Sequence, residues 1–473
     1  MNENPYREDR EQIQELLRLY ENLQHGRTGS FIEEEAFERI INYFEEKEDL
    51  SRALEAAQIA IRQYPYSSVL IIREADILIS LRRYEQALVE LDRASLLDKG
   101  NIDLYILKTD IYLALDEQEK AVVLLEEAVS MFGGEERIEL LFELADVYDD
   151  HEEFDKVFDC LKLILQDDPN NEEALYKICF WTDFTGRCEE SIRLHQQVID
   201  DFPYNELAWF NLAAAYQSLK LYEKAIDAYQ YAVTIDEKFD YAYRNMGDAY
   251  IRIKKYREAI EVLGKVIELA KPEPVIYEAI GYCYDRLRNY AQARFFYRKA
   301  SHLNQGESKL YYKIACTYFN EQKWEHCVRQ LDIALKMHRL RPEYNLLMGE
   351  CKLLLGLNKD AIQYFSQAVR IRPRNASGWE ALIRCLFRSS YFEEALEQAN
   401  TALQFTQGKS LFLFYKSAIL FGLQRPSEAV VQLEKAMERS PKLLKKFIEI
   451  NPSILQNHLV VDVLARFKRK RSI

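Results

Sequence analysis

WFNLAAAYQSLKLYEKAIDAYQYAV, residues Trp209 to Val233, returns in altered form as YRNMGDAYIRIKKYREAIEVLGKVI, residues Tyr243 to Ile267. An aromatic, a Leu or Met, a tiny residue and a Tyr, then Tyr, Ala and Ile, keep their offsets while most of what lies between changes. A fixed spacing on variable content is the mark of a packing unit copied along the chain.

Anchored on the Ala of the second stretch, the same small or near-small position recurs as Ala53, Ala87, Ala121, Val157, Ser191, Ala225, Ala259, Ala293, Cys327, Ala361, Ala395 and Ala429. Every interval equals the step from Ala225 to Ala259, except that from Ala121 to Val157, which is longer by two. From 138 to 443 nothing is inserted or lost. With that residue as the twentieth, twelve units begin at 34, 68, 102, 138, 172, 206, 240, 274, 308, 342, 376 and 410. The fourth place is aromatic in Phe37, Tyr105, Trp209, Tyr243, Tyr277, Tyr311 and Trp379, and the eighth is small in Ala75, Ala145, Cys179, Ala213, Gly247, Gly281, Ala315 and Gly349. Pro65, Pro169, Pro203, Pro373 and Pro441 share the thirty-second place.

Positions 4, 7, 8 and 11 fall on one face of a helix, and 20, 24 and 27 on one face of a second. Small residues at 8 and 20 let the two backbones approach, larger ones fill the space beside them, and a proline near 32 ends the second helix because it has no N–H to donate. One hairpin leaves apolar surface bare and must stack on the next. Composition agrees, with only 15 Gly and 11 Pro in 473 residues and 31 Tyr suited to half-buried packing.

These positions resemble the tetratricopeptide repeat (TPR) family over residues 34–443. The resemblance implies an all-α fold, a solenoid of helical hairpins wound as a right-handed superhelix with capping helices at both ends. Residues 1–33 would form an N-terminal capping helix (6–25) and linker (GRTGS), and residues 444–473 two C-terminal capping helices and a basic tail, RFKRKRSI. The segment MFGGEER (Met131–Arg137) joins two glycines to the two-residue insertion and is where the superhelix is expected to bend or flex.

No motif gives catalysis a foothold. Gly408-Lys409-Ser410 lacks the leading Gly and preceding strand of a phosphate-binding loop, since Leu403 stands where that Gly belongs. The seven His form no paired metal motif, the eight Cys form no CxxC pair, and YDDHEEFD (Tyr148–Asp155) lacks the Gly and closing Glu of a calcium loop. The expectation is therefore a non-enzyme without cofactor or metal. The opening residues are polar and acidic, no apolar run is long enough to cross a bilayer, and the cysteines are scattered, which together predict a cytoplasmic protein.

The net charge of −14 is unevenly placed: residues 1–200 hold 21 Lys and Arg against 47 Asp and Glu, or −26, and the remainder carries 42 against 30, or +12. In TPR proteins positions 2, 5, 6, 9, 12 and 13 of each unit face a concave groove. Here they would make its early part acidic, through Asp110, Glu139, Glu143, Asp146, Asp149 and Asp150. An aromatic patch of Tyr176, Phe180, Phe184 and Phe210 follows, with packing between helices as the plainer role for Phe180 and Phe184. Beyond it lie Asn211, Tyr241, Arg244, Asn245, Asp248, Arg252, Tyr282 and Arg286, then Arg384 and Arg388. Asn211 and Asn245 share position 6 of neighbouring units and resemble the amide ladder with which peptide-binding TPR arms hold a ligand backbone. Arg244 and Arg252 would select acidic side chains. The clamp that takes C-terminal carboxylates is not matched by any three consecutive units.

The function expected is a non-catalytic scaffold or adaptor that holds an extended protein or peptide in the groove of the middle repeats. A self-associating scaffold, acidic half to basic half, is the alternative; RNA binding runs against the overall acidity.

Overall fold

A chain rich in Ala, Leu, Glu, Lys, Arg and Gln has little local reason to leave the helix. The computed structural model describes residues 5–24, 31–271 and 273–471, with side chains from 12 to 467, and is helical throughout its regular elements. The GRTGS break and the tail from Lys468 onward lie outside the described side chains.

The chain divides into two compact bodies, residues 1–237 and 238–473. In the first, α1 (Pro5–Gln24) precedes six hairpins. They are α2 (Glu34–Glu46) with α3 (Leu50–Gln63), α4 (Ser68–Ser80) with α5 (Tyr84–Leu97), and α6 (Asp103–Ala114) with α7 (Gln118–Met131). Next come α8 (Gly134–Asp150) with α9 (Phe154–Asp167), α10 (Glu172–Thr185) with α11 (Cys188–Asp201), and α12 (Glu206–Ser218) with α13 (Tyr222–Ile235). The second body opens with α14 (Asp240–Arg252) and α15 (Tyr256–Leu269), α16 (Pro274–Arg286) and α17 (Tyr290–Leu303), and α18 (Ser308–Asn320) and α19 (Trp324–Met337). It continues with α20 (Pro342–Leu354) and α21 (Asn358–Ile371), α22 (Ala376–Arg388) and α23 (Phe392–Phe405), and α24 (Ser410–Gly422) and α25 (Pro426–Arg439). A short helix, α26 (Leu444–Ile450), and a longer one, α27 (His458–Arg471), close it. The fold is an all-α helical-repeat solenoid.

Ten of the twelve first helices start on the residue that opens the sequence period; α6 starts one later and α8 four earlier. The two-residue insertion is taken up by α8, which has 17 residues and is the longest of the first helices. Gly134, at φ +62°, begins it.

Within a hairpin, positions 8 and 24 trade volume. In the eighth repeat Gly281 faces Tyr297, whose ring lies 2.7 Å from where a Cβ on Gly281 would stand. In the first, Ile41 is matched by Ala57, and both are fully buried. Either way the pair fills one space at interior density. The ends are closed by the same means: Tyr20 of α1 packs on Phe44 at 5.9 Å, and Phe447, Ile450, Val460 and Val463 join the core formed by Phe414, Leu433 and Met437.

The turn inside each hairpin is uniform. The fifteenth residue has positive φ in all twelve repeats: Glu48, Arg82, Asp116, Glu152, Gly186, Lys220, Lys254, Arg288, Gln322, Gly356, Ser390 and Gln424. In eleven of them the following N–H donates to the carbonyl five positions back, as Lys255 does to Tyr250 at 2.9 Å. This left-handed cap satisfies carbonyls that the helix end leaves open. Ten of the twelve caps use a residue with a side chain, so glycine content gave no sign of them.

Candidate binding surfaces

In the first body the first helices bring acids of successive repeats into one row: Glu45, Asp76, Asp110 and Glu143, each within electrostatic reach of the next. Arg73 answers the upper end, with Nη2 2.5 Å from Glu45 and Nη1 3.2 Å from Asp76. Farther along, Glu143 is pushed above the ordinary carboxylate range by loss of water, then by Asp110, Asp146 and Glu139, against the pull of Lys177. Asp110 is raised by desolvation and by Asp76. Asp110, Glu139, Glu143, Asp149 and Asp150 make no salt bridge among the described residues, and the last two crowd the C-terminus of α8, where negative charge opposes the helix dipole.

Next to this row α10 carries Tyr176, Phe180 and Phe184 one turn apart, 77%, 62% and 58% exposed. They are not packed between helices. Phe180 stacks on Phe184 at 5.9 Å; Trp181 meets both edge-on, and Phe154 meets Phe184 edge-on at 4.7 Å and stacks on Trp181 at 5.4 Å. Lys177 joins the two zones: its Nζ lies 4.9 Å from the Phe142 ring and 3.9 Å from Asp146. Phe210 is half-buried against Tyr229 at 5.6 Å.

Asn211 departs from its expected place. It is 3% exposed, and its Nδ2 donates to the Leu175 carbonyl (2.7 Å) and to His195 Nε2 (3.2 Å). His195 itself is fully buried and donates from Nδ1 to the Ser191 carbonyl at 2.7 Å, so Nε2 is free to accept. Burial holds the imidazole neutral, down to about 4, against the Ser191 hydrogen bond that favours the cation. Thr182 and Ser191 complete the network at 3.1 Å. With both amide hydrogens committed to α10 and α11, Asn211 is a core residue and offers no donor to a ligand. Position 24 holds a hydrocarbon or Tyr in every other repeat; His195, with Thr182 at 11 and Ser191 at 20, is the signal in the sequence that marks this polar core.

In the second body Asn245 is half-buried, and its side chain makes no hydrogen bond to another described residue. Tyr241 is 61% exposed and lies under the Arg244 guanidinium at 5.6 Å. Arg244 is held by both oxygens of Glu273 (3.1 and 2.8 Å), and Arg252 meets Asp248 at 3.3 Å. Neither is the unengaged cation that selection of acidic side chains calls for. Tyr282 packs edge-on to Tyr256 at 6.2 Å, and Arg286 reaches the Tyr256 hydroxyl at 3.4 Å. Arg384, 3.9 Å from Glu380, and Arg388 line a cleft of about 240 Å3 with Phe319, Leu353 and Leu354.

Among the described residues no group of His, Cys, Asp and Glu is placed to hold a metal, and no helix is long and apolar enough to cross a membrane. The cysteines are free; Cys160 and Cys283 are pushed up to about 12, chiefly by burial, which keeps them as thiols.

The hairpins, their period and their caps agree with what family profiles find in the sequence. The profile of the tetratricopeptide repeat protein 21 C-terminal ARM domain matches residues 186–351, and a tetratricopeptide repeat profile matches residues 358–410. This is a tetratricopeptide-repeat protein. No curated protein matches its sequence. Among solved structures, the C-terminal part of a TPR protein from Cytophaga hutchinsonii is 14% identical, covering 54% of this chain and 99% of its own, with a TM-score of 0.44. A TPR protein from Parabacteroides merdae is 18% identical over 52% of this chain and 97% of its own (TM-score 0.36). The Cut9–Hcn1 hetero-tetramer of the APC/C is matched at 15% over 87% of this chain and 94% of that one (TM-score 0.35). At these scores the likenesses carry no argument about function. Membership of the TPR family supports a protein-interaction scaffold in general.

Proposed function

We propose that this TPR protein is a non-catalytic scaffold that holds an extended protein segment against its first helices. In the first body the segment alternates basic with apolar side chains. The observation that carries this reading is the exposed column Tyr176–Phe180–Phe184 beside an acidic row in which Asp110, Glu139, Asp149 and Asp150 make no salt bridge among the described residues. Aromatic rings half out of water gain by burial under apolar side chains, at about 25 cal/mol per Å2 covered. Lys or Arg of the same segment would offset the loss of water and the neighbouring charges that raise Glu143, and an aromatic face adds attraction for a cation. Such interfaces draw most of their affinity from a few large anchors. In the second body Asn245, unlike Asn211, keeps its amide for a ligand backbone.

The test is titration of the full chain with a labelled Lys–Leu alternating peptide, followed by anisotropy. Phe180→Ala/Phe184→Ala and, separately, Asp149→Lys/Asp150→Lys are each expected to weaken binding at least tenfold with the helical circular dichroism unchanged. Undiminished binding by both variants, or equal binding of a Glu–Leu peptide, would overturn the reading.

A further inference from the structure

The second helices of the repeats carry a different kind of surface, and one of them breaks the pattern. Of the twelve, α17 alone has no Asp or Glu, although acids in a first turn stabilise a helix and most of the others have one there. From Arg286 to Gly306 the chain carries five Lys and Arg and no acid, inside a protein of charge −14. Three of these cations, Arg294, Arg298 and Lys299, line one cleft. Arg298 and Lys299 are exposed beside Phe295, which is itself 50% exposed, and neither has a carboxylate partner among the described residues.

What they touch instead is aromatic. Lys299 Nζ lies 4.7 Å from the Phe295 ring and 5.2 Å from that of Tyr277; Arg298 donates to the Tyr318 hydroxyl at 2.9 Å. Beneath them Arg294 is buried, stacked over Tyr318 at 4.4 Å and bound to Glu321 at 3.0 Å. Glu321 is also held by Lys323 at 2.9 Å, so the nearest acid is already shared between two cations. Phe295, Arg298, Lys299 and His302 of α17 face Tyr318 of α18 across an open cleft of about 470 Å3.

We propose that this cleft binds a short acidic segment of a partner protein, two or more carboxylates with an adjacent aromatic or aliphatic side chain. The carboxylates meet Arg298 and Lys299 in charge-assisted hydrogen bonds, and the apolar side chain covers Phe295. The size of the patch selects a segment over a folded surface: a stable interface between folded proteins uses about 20–30 residues a side, several times what lines this cleft. The number of exposed cations selects a short peptide over nucleic acid, whose binding draws on many phosphate contacts, more than Arg298 and Lys299 can make. This site lies between α17 and α18 and shares no residue with the α10 surface proposed above.

The experiment uses the full chain and a fluorescein-labelled peptide of alternating Glu and Phe, with a Gln–Phe peptide and a single-stranded poly-U oligonucleotide of equal length as comparators. Anisotropy at low and at high salt is expected to show binding of the acidic peptide, at least tenfold weaker for the Gln version and at high salt. Arg298→Glu/Lys299→Glu should lower affinity tenfold or more and Phe295→Ala several-fold, while Phe180→Ala/Phe184→Ala leaves it unchanged. These side chains are exposed, so thermal melts of the variants should match the parent. Equal binding by Arg298→Glu/Lys299→Glu overturns the proposal, as does tighter binding of poly-U. A fall in the light-scattering mass of the unliganded chain caused by that charge reversal would assign the cleft to a second copy and also overturn it.

Discussion

Asn211 in the sixth repeat and Asn245 in the seventh stand at the same position of the same motif, one period apart, yet one is a core residue and the other is open. The difference lies in what each meets. Asn211 stands next to His195, a polar side chain at a place that elsewhere holds hydrocarbon or tyrosine, and a buried imidazole acceptor takes its amide inward. The place that His195 holds in the repeat before Asn211 is filled by Tyr229 in the repeat before Asn245, and the Asn245 side chain makes no hydrogen bond to another described residue. Position in a repeat thus fixes the address of a side chain, while the chemistry opposite decides whether it serves the core or a ligand.

The largest effect expected from this contrast is on pH dependence. His195 is neutral when folded, with its affinity for a proton lowered to about 4 against about 6.5 unfolded, so the unfolded chain takes up a proton first. Its contribution is complete above about pH 6.5 and is lost as pH falls toward 4, amounting to about 3 kcal/mol at most. Urea melts of the parent between pH 7 and 4, compared with His195→Leu, should show that acid limb diminished in the variant. A parallel decline in both would break the comparison.

Next in size is Asn211→Ala, which leaves the buried Nε2 of His195 without a donor and should cost about 1–3 kcal/mol. Asn245→Ala should change stability by less than about 0.5 kcal/mol, as substitutions away from buried networks do. Chemical denaturation of the two single variants decides it, and equal losses would refute the distinction. The smallest effect concerns the turns. Lys254 adopts a left-handed conformation that costs a residue with a side chain about 1 kcal/mol, so Lys254→Gly should raise the melting midpoint slightly. Gly186, with φ +73° in the fifth repeat, should show the reverse on Gly186→Lys.

Much of the architecture is legible in the sequence because close packing leaves a periodic trace. Gly281 is small since Tyr297 fills its space, and ten first helices begin where the period puts them. The surfaces were harder to read. Phe180 and Phe184 have the composition of a core and the exposure of a contact face, a difference that depends on neighbours in other repeats. The ion pairs of Arg244 with Glu273 and Arg252 with Asp248 depend on side-chain directions that spacing alone does not give. The left-handed turns were invisible because only Gly186 and Gly356 among the twelve advertise them. The polar core around His195 could have been found from three polar residues at apolar places in one repeat.

The two extra residues ahead of the fourth repeat have a consequence for engineering. Because α8 absorbs them as helix, the array resumes its register at once, much as a splice that keeps the reading frame leaves everything downstream intelligible. The segment around Gly133 and Gly134 is then a joint at which chains can be cut and rejoined. A repeat lifted in or out there, with its full period intact, would alter the length of the molecule, give the fourth repeat a new neighbour, and leave every hairpin after it facing the one it was built to meet.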